Sequence, residues 1–196
     1  GWGWRDVGAT VALAVAATLA LSLVVQGAAS ALGFEAGAGL VSPALYLMGL
    51  GIYLAVVAGV YLFAARRAGW AALGLRRAGW GSFAIVPPLF VLEVITLLLV
   101  NGAVGALAGG FENPQVDAIT GGRAVSLGEL AMLLVLIAGV VPFVEELFFR
   151  GMLYPLLRGR MGAAAAVALN AAIFSLTHVF PLLLPGLFVV GLFLAF

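Results

Sequence analysis

The sequence predicts an all-α fold, a polytopic transmembrane helical bundle with five spans and the start of a sixth. Of its 196 residues, 65% are hydrophobic and 9% are charged, whereas a soluble domain carries about 25% charged residues. The mean hydropathy is +1.24. We expect a single transmembrane domain over residues 1–196. Because the chain begins with Gly1 and stops at Phe196 inside an apolar run, we also expect truncation at the C-terminal end, with an N-terminal truncation left open.

The chain contains several apolar stretches. Their lengths are close to the roughly 20 residues that a helix needs to cross a bilayer. A capping-box pattern, Ser126 with Glu129 three residues later, predicts where the fourth helix begins. That helix is too long for a bilayer core, so we expect it to tilt, kink at Pro142 or project from the membrane. Residues 109–125 are predicted to form a polar loop. The predicted spans are 7–32, 41–65, 81–108, 127–157, 162–179 and, in part, 186–196.

The arginines predict the orientation of the bundle, since the chain contains no lysine. With five spans, all arginines outside the spans except Arg123 fall on one side, which is then cytoplasmic together with the N-terminus. This predicts an integral protein of a bacterial cytoplasmic membrane. The repeat RRAGWAALGLRRAGW at 66–80 is interpreted first as a cytoplasmic loop and second as an amphipathic segment on an anionic leaflet. The arginines on the predicted cytoplasmic side are Arg5, Arg66, Arg67, Arg76, Arg77, Arg158 and Arg160.

Composition excludes several classes of partner and site. The net charge is only +1 and no basic run interleaves with aromatic residues, so a nucleic-acid partner is not indicated. The absence of cysteine removes disulfides and thiolate metal sites. A single histidine rules out the HExxH zinc-protease pattern. The expected partner is the lipid bilayer, and the oligomeric state is left open.

The segment VVPFVEELFFR at 140–150 places three ionisable side chains inside an apolar span. Such residues cost roughly 2.5–3.5 kcal/mol each at a helix centre, so they usually serve a function. On a helix, Glu146 and Arg150 share a face and can pair, whereas Glu145 points about 100° away toward another helix. Neighbouring carboxylates in a low dielectric do not both ionise easily, which poises one of them as a general base.

A second polar pattern, NAAIFSLTH at 170–178, places Asn170, Phe174 and His178 on one helical face. Glu145 lies thirteen residues before Arg158 and His178 lies sixteen residues after Gly162, roughly 20 and 24 Å along their helices. In an antiparallel hairpin the two side chains therefore reach nearly the same depth. There they could activate a water molecule and stabilise the oxyanion that its attack produces.

The two patterns together resemble the EExxxR and FxxxH motifs of the CaaX protease and bacteriocin-processing (CPBP) family, also called Abi. The resemblance covers about residues 142–178 and implies a multi-helix intramembrane endopeptidase. It implies that Glu145 activates water, that His178 helps to hold it, and that Glu146 and Arg150 support the site. The family pattern also includes a later helix with a further His or Asn, and this sequence ends before such a motif.

The sequence leaves the metal, the substrate and one rival function open. A catalytic zinc takes three protein ligands, and Glu145 and His178 are the candidates here, so both a glutamate-dependent enzyme and a metallo-endopeptidase are considered. The expected substrate is a lipidated or membrane-inserted peptide, of which a prenylated CaaX tail is one case. The alternative is a non-catalytic membrane scaffold, immunity or transport component with a buried Glu-Arg-His network.

Overall fold

The computed structural model describes residues 1–33, 37, 39–110, 113–178 and 180–195, without the side chain of Ser82. Throughout these residues the regular structure is helical, which confirms the all-α fold class. The predicted end points Val179 and Phe196 lie outside the described residues, as do four of the eight residues between the first two predicted spans, 34–36 and 38. The helices are α1 (Trp4–Leu32), α2 (Pro43–Ala68), α3 (Trp80–Ala108), α4 (Pro114–Thr120), α5 (Leu127–Arg158), α6 (Ala163–Leu176) and α7 (Leu184–Phe193).

In the part of the chain that the structure describes, four helices are long and apolar enough to cross a membrane, namely α1, α2, α3 and α5. The helix α6 has 14 residues and α7 has 10, fewer than the roughly 17 that a span requires. The bundle of apolar helices is therefore confirmed, but the predicted count of five spans is not.

The predicted polar loop at 109–125 contains the short helix α4, which corrects the sequence interpretation. Pro114 occupies the first position of this helix, where its missing N–H is harmless. The helix ends at Gly121, whose φ of 69° suits glycine and whose amide donates to the Asp117 carbonyl at 2.8 Å. A backbone hydrogen bond of 3.2 Å from Val41 to the Ile119 carbonyl ties α4 to the start of α2.

By its contacts the chain forms two compact units, and the first contains Gly1–Gly74 and Pro114–Met152. In this unit α1 packs along α2, and glycines of α2 allow the close approach. A Cβ at Gly59 would lie 2.8 Å from the Thr10 side chain of α1, and a Cβ at Gly51 would lie 2.8 Å from Leu21. The helix α2 also packs against α5, so α2 contacts both of the other long helices of the unit.

The helix α5 contains two stretches wound as π-helix, Leu134–Val140 and Leu147–Leu153, on either side of the α-helical segment Val141–Glu146. The Val141 amide donates to the carbonyl of Leu136, five residues earlier. Pro142 follows directly, and a widened turn accommodates a residue that lacks an amide donor. The irregularity expected at Pro142 thus takes the form of π-helix, and the acidic motif lies between the two widened stretches. The Ser126–Glu129 capping box at the start of α5 is confirmed.

Contacts at one end of the first unit join the N-terminus to the ends of α2 and α5. The Trp2 indole donates to the Met152 carbonyl at 2.8 Å, and Arg67 pairs with Asp6 at 2.5 Å. At the same end, a Cβ at Gly151 would lie 2.7 Å from the Leu73 carbonyl oxygen. The motif residue Arg150 therefore directly precedes a glycine that lies in close contact with Leu73.

The second unit contains residues 75–113 and the chain from Leu153 onward. Its helix α7 packs against both α6 and α3. A Cβ at Gly191 would lie 2.9 Å from the Cα of Ala171 on α6, and a Cβ at Gly186 would lie 2.7 Å from the Asn101 side chain on α3. Glycines thus bring the backbone of α7 close to both neighbours, as small residues do between membrane helices.

Candidate active site

Glu146 and Arg150 form the ion pair that their spacing predicts. The Arg150 Nη1 and Glu146 Oε1 atoms lie 3.1 Å apart. The Arg150 side chain is 13% exposed and that of Glu146 is 40% exposed, so the guanidinium lies deeper than the carboxylate. The neighbouring side chains Val144, Leu147 and Phe149 are buried. The pair therefore neutralises two charges on an otherwise apolar helix, which lowers the free-energy penalty of placing them there.

Glu145 does not share that face and contacts a different helix, as predicted. The Tyr53 hydroxyl of α2 donates a hydrogen bond to the Glu145 carboxylate. Both side chains are half-buried, and the helices that carry them pack together within the first unit. Glu145 therefore accepts a hydrogen bond from a neutral donor on a second helix.

The three motif residues lie nearer to one end of α5 than to the other. Glu145 is seven residues before Met152, about 10 Å along a helix. Met152 is the residue whose carbonyl accepts the Trp2 indole hydrogen bond. The carboxylates are therefore about 10 Å from the end of the unit where the N-terminus, Asp6 and Arg67 meet.

His178 follows the last turn of α6 and is half-buried. Its Nδ1 atom lies 2.9 Å from the Phe174 carbonyl oxygen, and its ring packs edge-on against the Phe174 ring with centroids 4.8 Å apart. Because a carbonyl oxygen can only accept, Nδ1 carries the proton in this hydrogen bond. In a neutral imidazole the Nε2 atom is then unprotonated, and it is the ring atom that can accept a proton or bind a metal ion.

Asn170 and Phe174 lie on the same face of α6 as predicted, and both are buried. Burial of Phe174 agrees with the packing role expected for it. Neither amide atom of Asn170 has a hydrogen-bond partner among residues 1–33, 37, 39–110, 113–178 and 180–195. An amide left in this state destabilises the fold by about 1–3 kcal/mol unless water reaches it.

The structure brings together some of the predicted site residues. Glu145, Glu146 and Arg150 belong to the first compact unit and His178 belongs to the second. The meeting of Glu145 with His178 therefore stays a prediction, as do the catalytic roles of all four residues.

A catalytic zinc site needs three protein ligands. No group of three or more His, Asp or Glu side chains suited to a metal ion occurs among the residues whose positions are described. Glu145 and His178 alone do not make up such a set. The metal question is therefore not answered by these side chains.

Tyr53 is the residue that sequence reasoning missed. A signal for it exists, because Tyr53 lies fifteen residues before Ala68 at the end of α2, and Glu145 lies thirteen residues before Arg158 at the end of α5. The second and fourth spans of an alternating bundle run in the same direction, so these distances of roughly 23 and 20 Å indicate similar depths. A phenol within an apolar helix also requires a hydrogen-bond partner.

Apolar helices with an acidic motif inside one of them define an integral membrane protein. Residues 127–196 match the family described as Type II CAAX prenyl endopeptidase Rce1-like. This match covers 70 of the 196 residues and supports the family predicted from the two motifs, the CPBP family of intramembrane proteases. No curated protein and no solved structure matched the chain. The match supports a protease that works in the membrane.

Proposed function

We propose that the chain is an intramembrane endopeptidase that hydrolyses a peptide bond in a lipidated or membrane-inserted peptide. The observation that carries this proposal is a second carboxylate inside a membrane helix, Glu145, which accepts a hydrogen bond from Tyr53 and lies next to an acid that already has an ionic partner. A charge-neutralised Glu146–Arg150 pair needs no further acid for stability. A prenylated peptide is the favoured substrate class, because the matched family is described as a prenyl endopeptidase.

In the proposed reaction, Glu145 accepts a proton from a water molecule as the water oxygen adds to the carbonyl carbon of the scissile bond. The carbonyl oxygen becomes an oxyanion, and the protonated His178 imidazole donates to it from Nε2. When the carbon–nitrogen bond breaks, the proton held by Glu145 passes to the departing amine. The products are a carboxylic acid and an amine, and Glu145 returns to its carboxylate form.

Glu146 and Arg150 support this chemistry without joining it. Their ion pair holds the turn that follows Glu145, and the arginine offsets the negative charge of the two adjacent carboxylates. The proposed reaction is glutamate-dependent, and a metal-dependent reaction is the alternative. Treatment with a chelator distinguishes the two, since a metallo-endopeptidase loses activity and recovers it when zinc is returned.

The proposed orientation places the N-terminus in the cytoplasm of a bacterial cell. The arginine bias of the loops supports this orientation. The ion pair between Arg67 and Asp6 and the hydrogen bond between Trp2 and Met152 support a common end for the N-terminus, α2 and α5. In this orientation the carboxylates lie in the cytoplasmic half of the membrane.

The test uses the full chain in lipid nanodiscs and an internally quenched peptide that ends in a farnesylated CaaX tail. Glu145→Gln keeps the shape of the side chain and removes the base, so we expect turnover to fall by about 10²–10⁴-fold, the range for general-base catalysis. Asp117→Asn is the matched control. Asp117 is an exposed acidic residue on α4, outside the helix α5 that carries the motif. The same peptide without its prenyl group tests the substrate class.

The Glu146–Arg150 ion pair also favours a second function, that of a non-catalytic scaffold with a buried polar network. The two functions predict different outcomes for the same reporter. Wild-type turnover that Glu145→Gln abolishes supports the peptidase. A folded wild-type protein without turnover, or an active Glu145→Gln variant, supports the scaffold and overturns the proposal.

A further inference from the structure

Tyr53 lies ten residues into α2, among aliphatic neighbours, on the helix that packs against the acidic segment of α5. Its hydroxyl donates to the Glu145 carboxylate, so the contact joins two different helices of the same compact unit. A tyrosine side chain has only two rotatable bonds before the ring, which makes its hydroxyl a well-placed donor once the helix is fixed.

The helix that carries Tyr53 is fixed on two sides by small residues. One turn earlier, Gly49 lies against Leu136 of α5, where an added Cβ would lie 3.7 Å from the leucine side chain. Two residues before Tyr53, Gly51 lies against Leu21 of α1, with a corresponding distance of 2.8 Å. The packing of α2 therefore holds the phenol at a defined depth and rotation, which is the support that a positioned catalytic group requires.

A carboxylate that acts as a base must present one oxygen to water. A donor held by a neighbouring helix fixes the plane of the Glu145 carboxylate and with it the direction in which the carboxylate meets a water molecule. The cation on this part of α5, Arg150, is paired with Glu146. A neutral phenol can orient Glu145 without forming a second ion pair that would weaken it as a base.

We propose that Tyr53 is a positioning residue that orients the Glu145 carboxylate for the reaction. This inference rests on the proposed function and adds to it a residue from α2, outside the segment that matches the family. The role of Tyr53 is to hold Glu145, and it has no contact with the substrate in the reaction.

The experiment compares Tyr53→Phe with Tyr46→Phe in the full chain, with the farnesylated reporter. Both changes delete one phenolic oxygen from α2, and Tyr46 lies seven residues earlier on the same helix. We expect Tyr53→Phe to lower kcat by about ten- to a hundredfold, the factor for one hydrogen bond to a charged group, with KM changed less than twofold. Tyr46→Phe keeps both values, and a melting temperature well above the assay temperature shows that each variant is folded.

Two further measurements separate positioning from other roles. In a Glu145→Gln background, Tyr53→Phe should change the residual turnover less than twofold, because the carboxylate that it orients is absent. Infrared spectra of protein with ¹³C-labelled glutamate identify the Glu145 band by its loss in Glu145→Gln. We expect Tyr53→Phe to shift this band and Tyr46→Phe to leave it in place.

The inference is overturned if Tyr53→Phe keeps wild-type kcat while Glu145→Gln is inactive, and in that case the proposed function still stands. It is also overturned if Tyr53→Phe lowers turnover equally in the Glu145→Gln background, since the phenol then acts independently of Glu145. A folded wild-type protein without turnover overturns the proposed function and the positioning role together. The infrared band then reports whether the hydrogen bond itself exists.

Discussion

Replacing Gly151 with alanine tests the packing that supports the site. Gly151 follows Arg150 directly, and a Cβ at this position would lie 2.7 Å from the carbonyl oxygen of Leu73 and 3.3 Å from its Cβ. Leu73 is 4% exposed, and the nearest atom belongs to the backbone, so no side-chain rotation relieves the contact. Either the short 3₁₀ turn Trp70–Leu73 or the helix α5 must move away.

The cost of such overpacking is about 1–3 kcal/mol. For a chain of this size, each kcal/mol lowers Tm by about 2–4 °C, so we expect a decrease of roughly 2–12 °C. Because the displaced turn carries Arg150, turnover of the reporter should fall as well.

The assay is thermal unfolding in nanodiscs followed by the fluorescence of the four tryptophans. Gly128→Ala is the matched control, since it makes the same change near the start of the same helix, where an added Cβ meets nothing within 4 Å. There the better helix propensity of alanine should keep or raise Tm. A Gly151→Ala protein that melts at or above the temperature of Gly128→Ala would refute the reasoning.

Three further changes probe other contacts by the same melting assay. Arg150→Met leaves Glu146 without its ionic partner and should destabilise the protein by about 1–3 kcal/mol. Adding Glu146→Gln should recover part of this loss. A double variant that is as unstable as the single one would contradict this expectation. Trp2→Phe removes the donor to the Met152 carbonyl and should cost about 1 kcal/mol, whereas an unchanged Tm would show that the bond contributes nothing. Gly191→Ala places a methyl group 2.9 Å from a Cα of α6 and should cost about 1–3 kcal/mol, so wild-type stability would disprove the close packing of α6 and α7.

Local features of this molecule could be predicted from sequence because few residues determine them. The Glu146–Arg150 pair follows from a spacing of four on a helix. The beginning of α5 follows from the Ser126–Glu129 pattern, which the structure confirms. The long apolar runs gave the bounds of α1, α2 and α3 to within about three residues, since hydropathy over 20 residues is a strong signal.

Features that depend on contacts between distant segments could not be predicted in this way. The hydrogen bond between Tyr53 and Glu145 requires the rotation of α2 about its axis, and a helix that is apolar on all sides has no periodicity to indicate it. The helix α4 was missed because seven residues between glycines give too short a pattern. The count of five spans is not confirmed, because α6 has only 14 residues. Hydropathy does not mark where this helix ends within its apolar stretch.

The central claim is that Glu145 and His178 meet closely enough to share one water molecule. The chain contains no cysteine, so Glu145→Cys with His178→Cys can be treated with a bifunctional thiol reagent of about 5 Å reach without background reaction. Trypsin then cuts denatured protein between the two positions, after Arg150, Arg158 and Arg160. The control pairs Glu145→Cys with Leu176→Cys, because Leu176 is 66% exposed and points about 200° away from position 178 around α6.

The account predicts that the fragments of the Glu145→Cys/His178→Cys protein remain joined after trypsin, whereas those of the Leu176→Cys control separate. Fragments that separate in both proteins, or that remain joined equally in both, would contradict it.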